Sequence, residues 1–184
     1  MRRILIDSEL EAKAIDYSTN LFTGRNVNFK TPLNELTKLR DSLQPMKHTV
    51  QKQYVQKIID QYQEILKASP EEMRLLITSF QAIAKSDILE SPLKTKDKLK
   101  FHELIVNAMR YDELRSSEFR RFVASSGIKT CVYCNSQLAI IAEVSFYDKK
   151  KKKRKPKVLA KFELDHYHSK SHYPFLCTSF YNLY

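Results

Sequence analysis

The chain has 184 residues, with 32 Lys and Arg against 21 Asp and Glu, for a formal charge of +11. That length suits one ordinary domain, or one domain with an appended module, and it can bury a core without disulfide staples. Only 2 glycines occur, and Gly24 and Gly127 stand too far apart for a GxGxxG or P-loop fingerprint, which disfavours a glycine-cradled nucleotide site. The longest apolar stretch, Leu138 to Phe146, is interrupted by Glu143 and falls short of the ~18 residues of a membrane span. Arg2 and Arg3 precede only Ile4, Leu5 and Ile6 before Asp7, which does not read as a secretory leader. With 3 cysteines, an odd number, the expectation is a cytoplasmic chain with reduced thiols.

Residues 1–126 read as helices. Ser8-Glu9-Leu10-Glu11 has the form of a capping box, and Leu10, Ala14, Tyr17 and Leu21 follow at helical spacing. Thr31-Pro32 is a cap followed by proline at the first helical position, and Leu33, Leu36, Leu39 and Leu43 continue that stripe until Pro45. Val50, Tyr54, Ile58, Tyr62 and Ile65 mark one further run. Ser69-Pro70-Glu71-Glu72 starts another, burying Met73, Leu76, Ile77, Phe80 and Ile83. Beyond Pro92, helices are expected near 97–109 and 112–125, closed by Gly127 at a C-cap. His48 and His102 read as ordinary surface or core histidines. This half is most simply a bundle that positions something or binds a partner.

After Gly127 the period changes to two. Leu138, Ile140, Ala142, Val144 and Phe146 alternate with their neighbours, and so do Val158, Ala160, Phe162 and Leu164. Two such strands make an antiparallel hairpin. Between them, Lys149, Lys150, Lys151, Lys152, Lys153, Arg154, Lys155 and Lys157 surround Pro156, a run too polar to be anything but the hairpin tip. Concentrated positive charge attracts polyanions, nucleic acid most commonly. The plainer reading is a solvated tip that aids solubility. The expected fold class is therefore mainly α, a helical bundle over 1–126 followed by a small β-hairpin module over 127–184.

Three features of that module can do chemistry. Cys131-Val132-Tyr133-Cys134 has the spacing of a zinc half-site, with a redox dithiol or two plain buried cysteines as rivals. Asp165-His166 puts a hard metal ligand beside a general base at a strand end, whereas His168 and His172 default to surface histidines. Asn182 follows the apolar stretch Tyr173-Pro174-Phe175-Leu176 through Phe180, and could sit on a loop that folds back toward His166 or simply in a turn. Cys177, inside that stretch, reads as a small core residue.

Taken in order, Cys131-x-x-Cys134, Leu164-Asp165-His166-Tyr167, Lys170-Ser171, Tyr173-Pro174-Phe175-Leu176 and Asn182-Leu183 resemble the HNH endonucleases, the ββα-metal nucleases. The resemblance is closest to the zinc-containing bacterial subgroup with an Asp-His-Phe/Tyr-x-x-Lys-Ser core. The lead-in from Glu118-Phe119-Arg120 to Cys134 more weakly resembles segments that precede this module in defence-associated nucleases, including Septu-type systems. The resemblance implies a role for each matching residue. His166 would be the general base, Asp165 the ligand of a catalytic Mg²⁺ or Mn²⁺, and Asn182 the residue that fixes the loop and orients His166. Cys131 and Cys134 would hold half of a structural Zn²⁺ site, and Lys170 would meet a phosphate. The family pattern continues past its asparagine with a second Cys-x-x-Cys and a helix bearing the third signature residue. This sequence ends at Tyr184, so the module is expected to lack its final helix, as a fragment would. The implied activity is hydrolysis of DNA, double-stranded, in anti-phage defence, with a partner ATPase docked on the helical half. The alternative is a non-catalytic, zinc-dependent nucleic-acid-binding module beside a partner-docking helical domain.

Overall fold

In the computed structural model the described residues are 6–93, 98–116, 118, 122, 140–148, 153–161 and 166–183. Polar caps and prolines set three of the helix starts. In α1 (Ser8–Asn20) the cap is Asp7, whose carboxylate accepts the Leu10 N–H at 2.9 Å. The expected Ser8 cap gives way to the residue before it, because the Glu11 N–H that a Ser8 box would take already bonds to the Asp7 carbonyl, and Asp7 adds a negative charge at the positive helix end. In α2 (Pro32–Ser42) Thr31 caps the Asn34 N–H and Pro32 occupies the first turn. The expected run from 50 to 65 is two helices, α3 (Thr49–Asp60) and α4 (Tyr62–Lys67), broken at Gln61. The reciprocal Ser69–Glu72 box opens α5 (Pro70–Gln81). Then come α6 (Ser86–Glu90), α7 (Phe101–Ala108) and α8 (Tyr111–Ser116). Between the last two, Arg110 has φ +58°, a left-handed conformation that costs a non-glycine residue roughly 1–2 kcal/mol. It turns the chain sharply, so that α8 starts on Tyr111 with Leu114 one turn on, both buried.

The core explains why the C-terminal segment belongs to the helices. Residues 174–183 form two 3₁₀ turns, Pro174–Leu176 and Phe180–Asn182. Phe175 stacks on Phe80 of α5 with centroids 4.0 Å apart and planes 12° apart, and meets the Tyr54 ring of α3 edge-on. Tyr17 of α1 donates its hydroxyl to the Thr178 carbonyl at 2.7 Å and packs on Phe180. Leu176, Cys177 and Leu183 lie in the same hydrophobic cluster as Val55, Ile58 and Ile105. Residues 174–183, expected within the 127–184 module, thus share the core of the helical part. A two-stranded ribbon offers too little apolar surface to cover so many large side chains, and the helices supply it. The expected boundary at Gly127 lies outside the described residues.

Strands β1 (Ile140–Asp148) and β2 (Lys153–Lys161) pair antiparallel, with Asp148 opposite Lys153, Val144 opposite Lys157 and Ile140 opposite Lys161. The basic run is thus not all tip. Lys153, Arg154, Lys155 and Lys157 are strand residues. Ladder hydrogen bonds come from the main chain and are indifferent to side-chain charge. Pro156, opposite Ser145, is tolerated because both strands of a two-stranded sheet are edges. Among the described residues no helix is long and apolar enough to cross a membrane.

Candidate functional site

The site is built where the chain leaves the ribbon and enters the helical core. His166 forms an isolated antiparallel bridge with Leu183, and the Tyr167 N–H donates to the Asn182 carbonyl at 3.2 Å. These contacts fix the main chain on either side of the imidazole. The ring is then oriented by its own hydrogen bond, with Nε2 3.0 Å from the Cys177 carbonyl oxygen. A carbonyl can only accept, so Nε2 carries the hydrogen, and in the neutral ring the lone pair sits on Nδ1.

Asn182 is fully buried and sits behind this arrangement. Its Oδ1 accepts the His168 N–H at 2.7 Å, and its Nδ2 donates to the carbonyls of His168 at 3.1 Å and Leu176 at 2.9 Å. One side chain ties the segment leaving His166 to the 3₁₀ turn that ends at the His166 acceptor, Cys177. Such a residue touches main chain rather than a reacting group, so it is a positioning residue.

A tyrosine from the helical part adjoins the imidazole. The buried Tyr111 ring lies 4.9 Å from the His166 ring, centroid to centroid, at an angle of 52°. The Lys170 ammonium lies 4.2 Å from the centroid of that same Tyr111 ring, within the range of a cation–π contact. The structure brings together His166, Lys170 and Asn182, three of the sequence-predicted site residues, and adds Tyr111, which nothing in the sequence pattern singles out.

The neighbouring histidines are held for other reasons. His168 meets the rings of Tyr167 and Tyr173 edge-on at 4.8 and 5.3 Å. Burial, and then the charge of Arg74 on α5, lower its pKa and favour the neutral ring. His172 Nδ1 lies 2.9 Å from Ser169 Oγ and 3.1 Å from Ser171 Oγ. His48 Nδ1 accepts the Gln44 N–H before α3, and His102 Nδ1 faces the Leu89 carbonyl. The Cys177 thiol is wholly buried and burial pushes its pKa far up, which suits a packed core thiol and not a thiolate ligand.

The chain matches no family model, no curated protein and no solved structure. The remaining expected site residues, Cys131, Cys134, Asp165, Lys149, Lys150, Lys151 and Lys152, lie outside the described residues. Among the described ones no three His, Cys, Asp or Glu side chains are grouped to hold a metal. Glu118, from the lead-in segment, pairs with Arg25, whose guanidinium also lies over Phe29 at 4.7 Å.

Proposed function

We propose that this chain is an HNH-type endonuclease that hydrolyses phosphodiester bonds of double-stranded DNA, with His166 as general base. The supporting observation is the orientation of His166. Its Nε2 is committed to the Cys177 carbonyl, while the segment after it and the 3₁₀ turn are tied together by buried Asn182. A base must be held in one orientation and one tautomer to take a proton from water, and the Nε2 bond to the Cys177 carbonyl holds the ring in both respects.

The donors available outside the described residues fit the implied metals by their chemistry. Asp165 is a hard carboxylate suited to Mg²⁺ or Mn²⁺, and Cys131 and Cys134 are soft thiolates suited to structural Zn²⁺. A divalent cation at Asp165 would supply charge neutralisation on the phosphate and on the leaving 3′ oxygen. Lys170 adds a fixed positive charge near His166, and the basic residues from Lys149 to Lys157 add attraction for the duplex. A defence setting with a docked ATPase belongs to the same proposal and is supported by the lead-in resemblance alone.

The test is supercoiled plasmid incubated with the protein in Mg²⁺ or Mn²⁺, beside an EDTA control and Asp165→Asn. Metal-dependent nicking that fails in EDTA and in the variant is the expected result. Duplex binding with a steep salt dependence and no cleavage would replace this reading with the non-catalytic, zinc-dependent binding module.

A further inference from the structure

We infer that Tyr111 is a positioning residue of the nucleic-acid site, its ring holding the Lys170 ammonium and the His166 imidazole in register so that both meet the same stretch of phosphate backbone. The inference rests on the nucleic-acid reading of this site. Lys170 is an unbranched point charge on a flexible stem, and alone it would sample many positions. Here the Nζ sits 4.2 Å from the Tyr111 centroid, and the His166 ring lies 4.9 Å from that same centroid. A cation and a base that share one aromatic ring as neighbour are placed to meet one short stretch of backbone.

Tyr111 itself cannot drift. It is 2% exposed, it begins α8, and the left-handed Arg110 before it fixes the direction from which the ring enters. The helical part thus contributes a residue to a site whose other described members, His166, Lys170 and Asn182, come from 166–182. An aromatic ring suits this task better than an aliphatic one because its negative face attracts the ammonium while leaving the lysine protons available to phosphate oxygens.

The experiment compares wild type, Tyr111→Leu, Tyr111→Phe, Lys170→Ala and the Tyr111→Leu/Lys170→Ala double variant. Metal-dependent plasmid cleavage gives kcat and KM, and duplex affinity is measured separately in EDTA. Thermal melting checks each fold, and Tyr111→Met replaces the Leu variant if that one does not fold. Tyr111→Leu is expected to lower kcat about tenfold or more and to weaken duplex binding, while Tyr111→Phe, which keeps the ring, recovers most of both. The double variant should lose little binding beyond Lys170→Ala alone, because the ring acts on binding through the lysine. A folded Tyr111→Leu protein with unchanged kcat and affinity, or binding losses that multiply in the double variant, overturns the inference. If the wild type binds duplex without cutting it, the nuclease reading fails, and the binding arm still decides the role of Tyr111 by the same comparison.

Discussion

The Asn182 carboxamide and the His168 main chain exchange hydrogen bonds in both directions, Oδ1 accepting from the N–H at 2.7 Å and Nδ2 donating to the C=O at 3.1 Å. An amide is the side chain that can pair with a peptide group in this way, since a carboxylate has no donor and a hydroxyl cannot span both atoms. The same Nδ2 reaches the Leu176 carbonyl, so the clamp closes over a buried side chain with no solvent to take over any lost bond.

Replacing it should therefore be costly. Asn182→Ala removes the side-chain partner of the His168 N–H and carbonyl and one of two donors to the Leu176 carbonyl, which keeps the Ser179 N–H, and is expected to destabilise the fold by about 3 kcal/mol. Asn182→Asp is expected to destabilise as well, because an oxygen then faces the carbonyls of His168 and Leu176. Urea unfolding of the three proteins checks this, and an Asp variant as stable as wild type would contradict the clamp.

Phe175 tests whether the C-terminal segment is part of the helical core. It is almost wholly buried between Phe80 and Tyr54, so Phe175→Ala should cost about 3–5 kcal/mol. The loss should appear in the helical signal, as one cooperative transition shifted to lower urea. Two transitions, with the helical one unmoved, would separate the segment from the bundle.

His168 predicts a pH dependence of stability. Burial and Arg74 lower its folded pKa below the unfolded value of about 6.5. The unfolded chain then binds its proton more readily. The contribution is complete above the unfolded pKa, and it is lost as pH falls from there toward the folded pKa. Melting temperatures from pH 7.5 down to pH 5 should fall less steeply for His168→Gln than for wild type. Parallel profiles would remove His168 as the cause.

The basic strand residues give a salt-dependence prediction. Replacing Lys153, Arg154, Lys155 and Lys157 with Gln should flatten the plot of log affinity for duplex DNA against log salt by about 0.9 per phosphate contact removed. An unchanged slope would show that the ribbon makes no phosphate contacts.

Much of the helical part was legible because caps and prolines act locally. Thr31-Pro32 and Ser69-Pro70-Glu71-Glu72 start helices where their pattern requires, since each cap satisfies an N–H only three residues away. The break at Gln61 is not written in the apolar spacing, which runs on through it. In the C-terminal segment the apolar stretch was plain and its partners were not. Tyr17 and Thr178 are 161 residues apart, and no local pattern encodes such a pairing. Reading the basic run as a tip failed because charge predicts exposure, not the length of a ladder. At the site, His166, Lys170 and Asn182 could be named from residue type and order. Tyr111 could not, since it is one of 10 tyrosines and its place depends on the left-handed turn at Arg110.

The most direct test is single-turnover cleavage of duplex DNA at saturating Mn²⁺ by wild type and His166→Ala, with and without added imidazole. The account predicts a loss of about 100-fold or more in the variant, partly restored by imidazole, with duplex affinity unchanged. Equal rates in the two proteins, or no metal-dependent cleavage by the wild type, would contradict it.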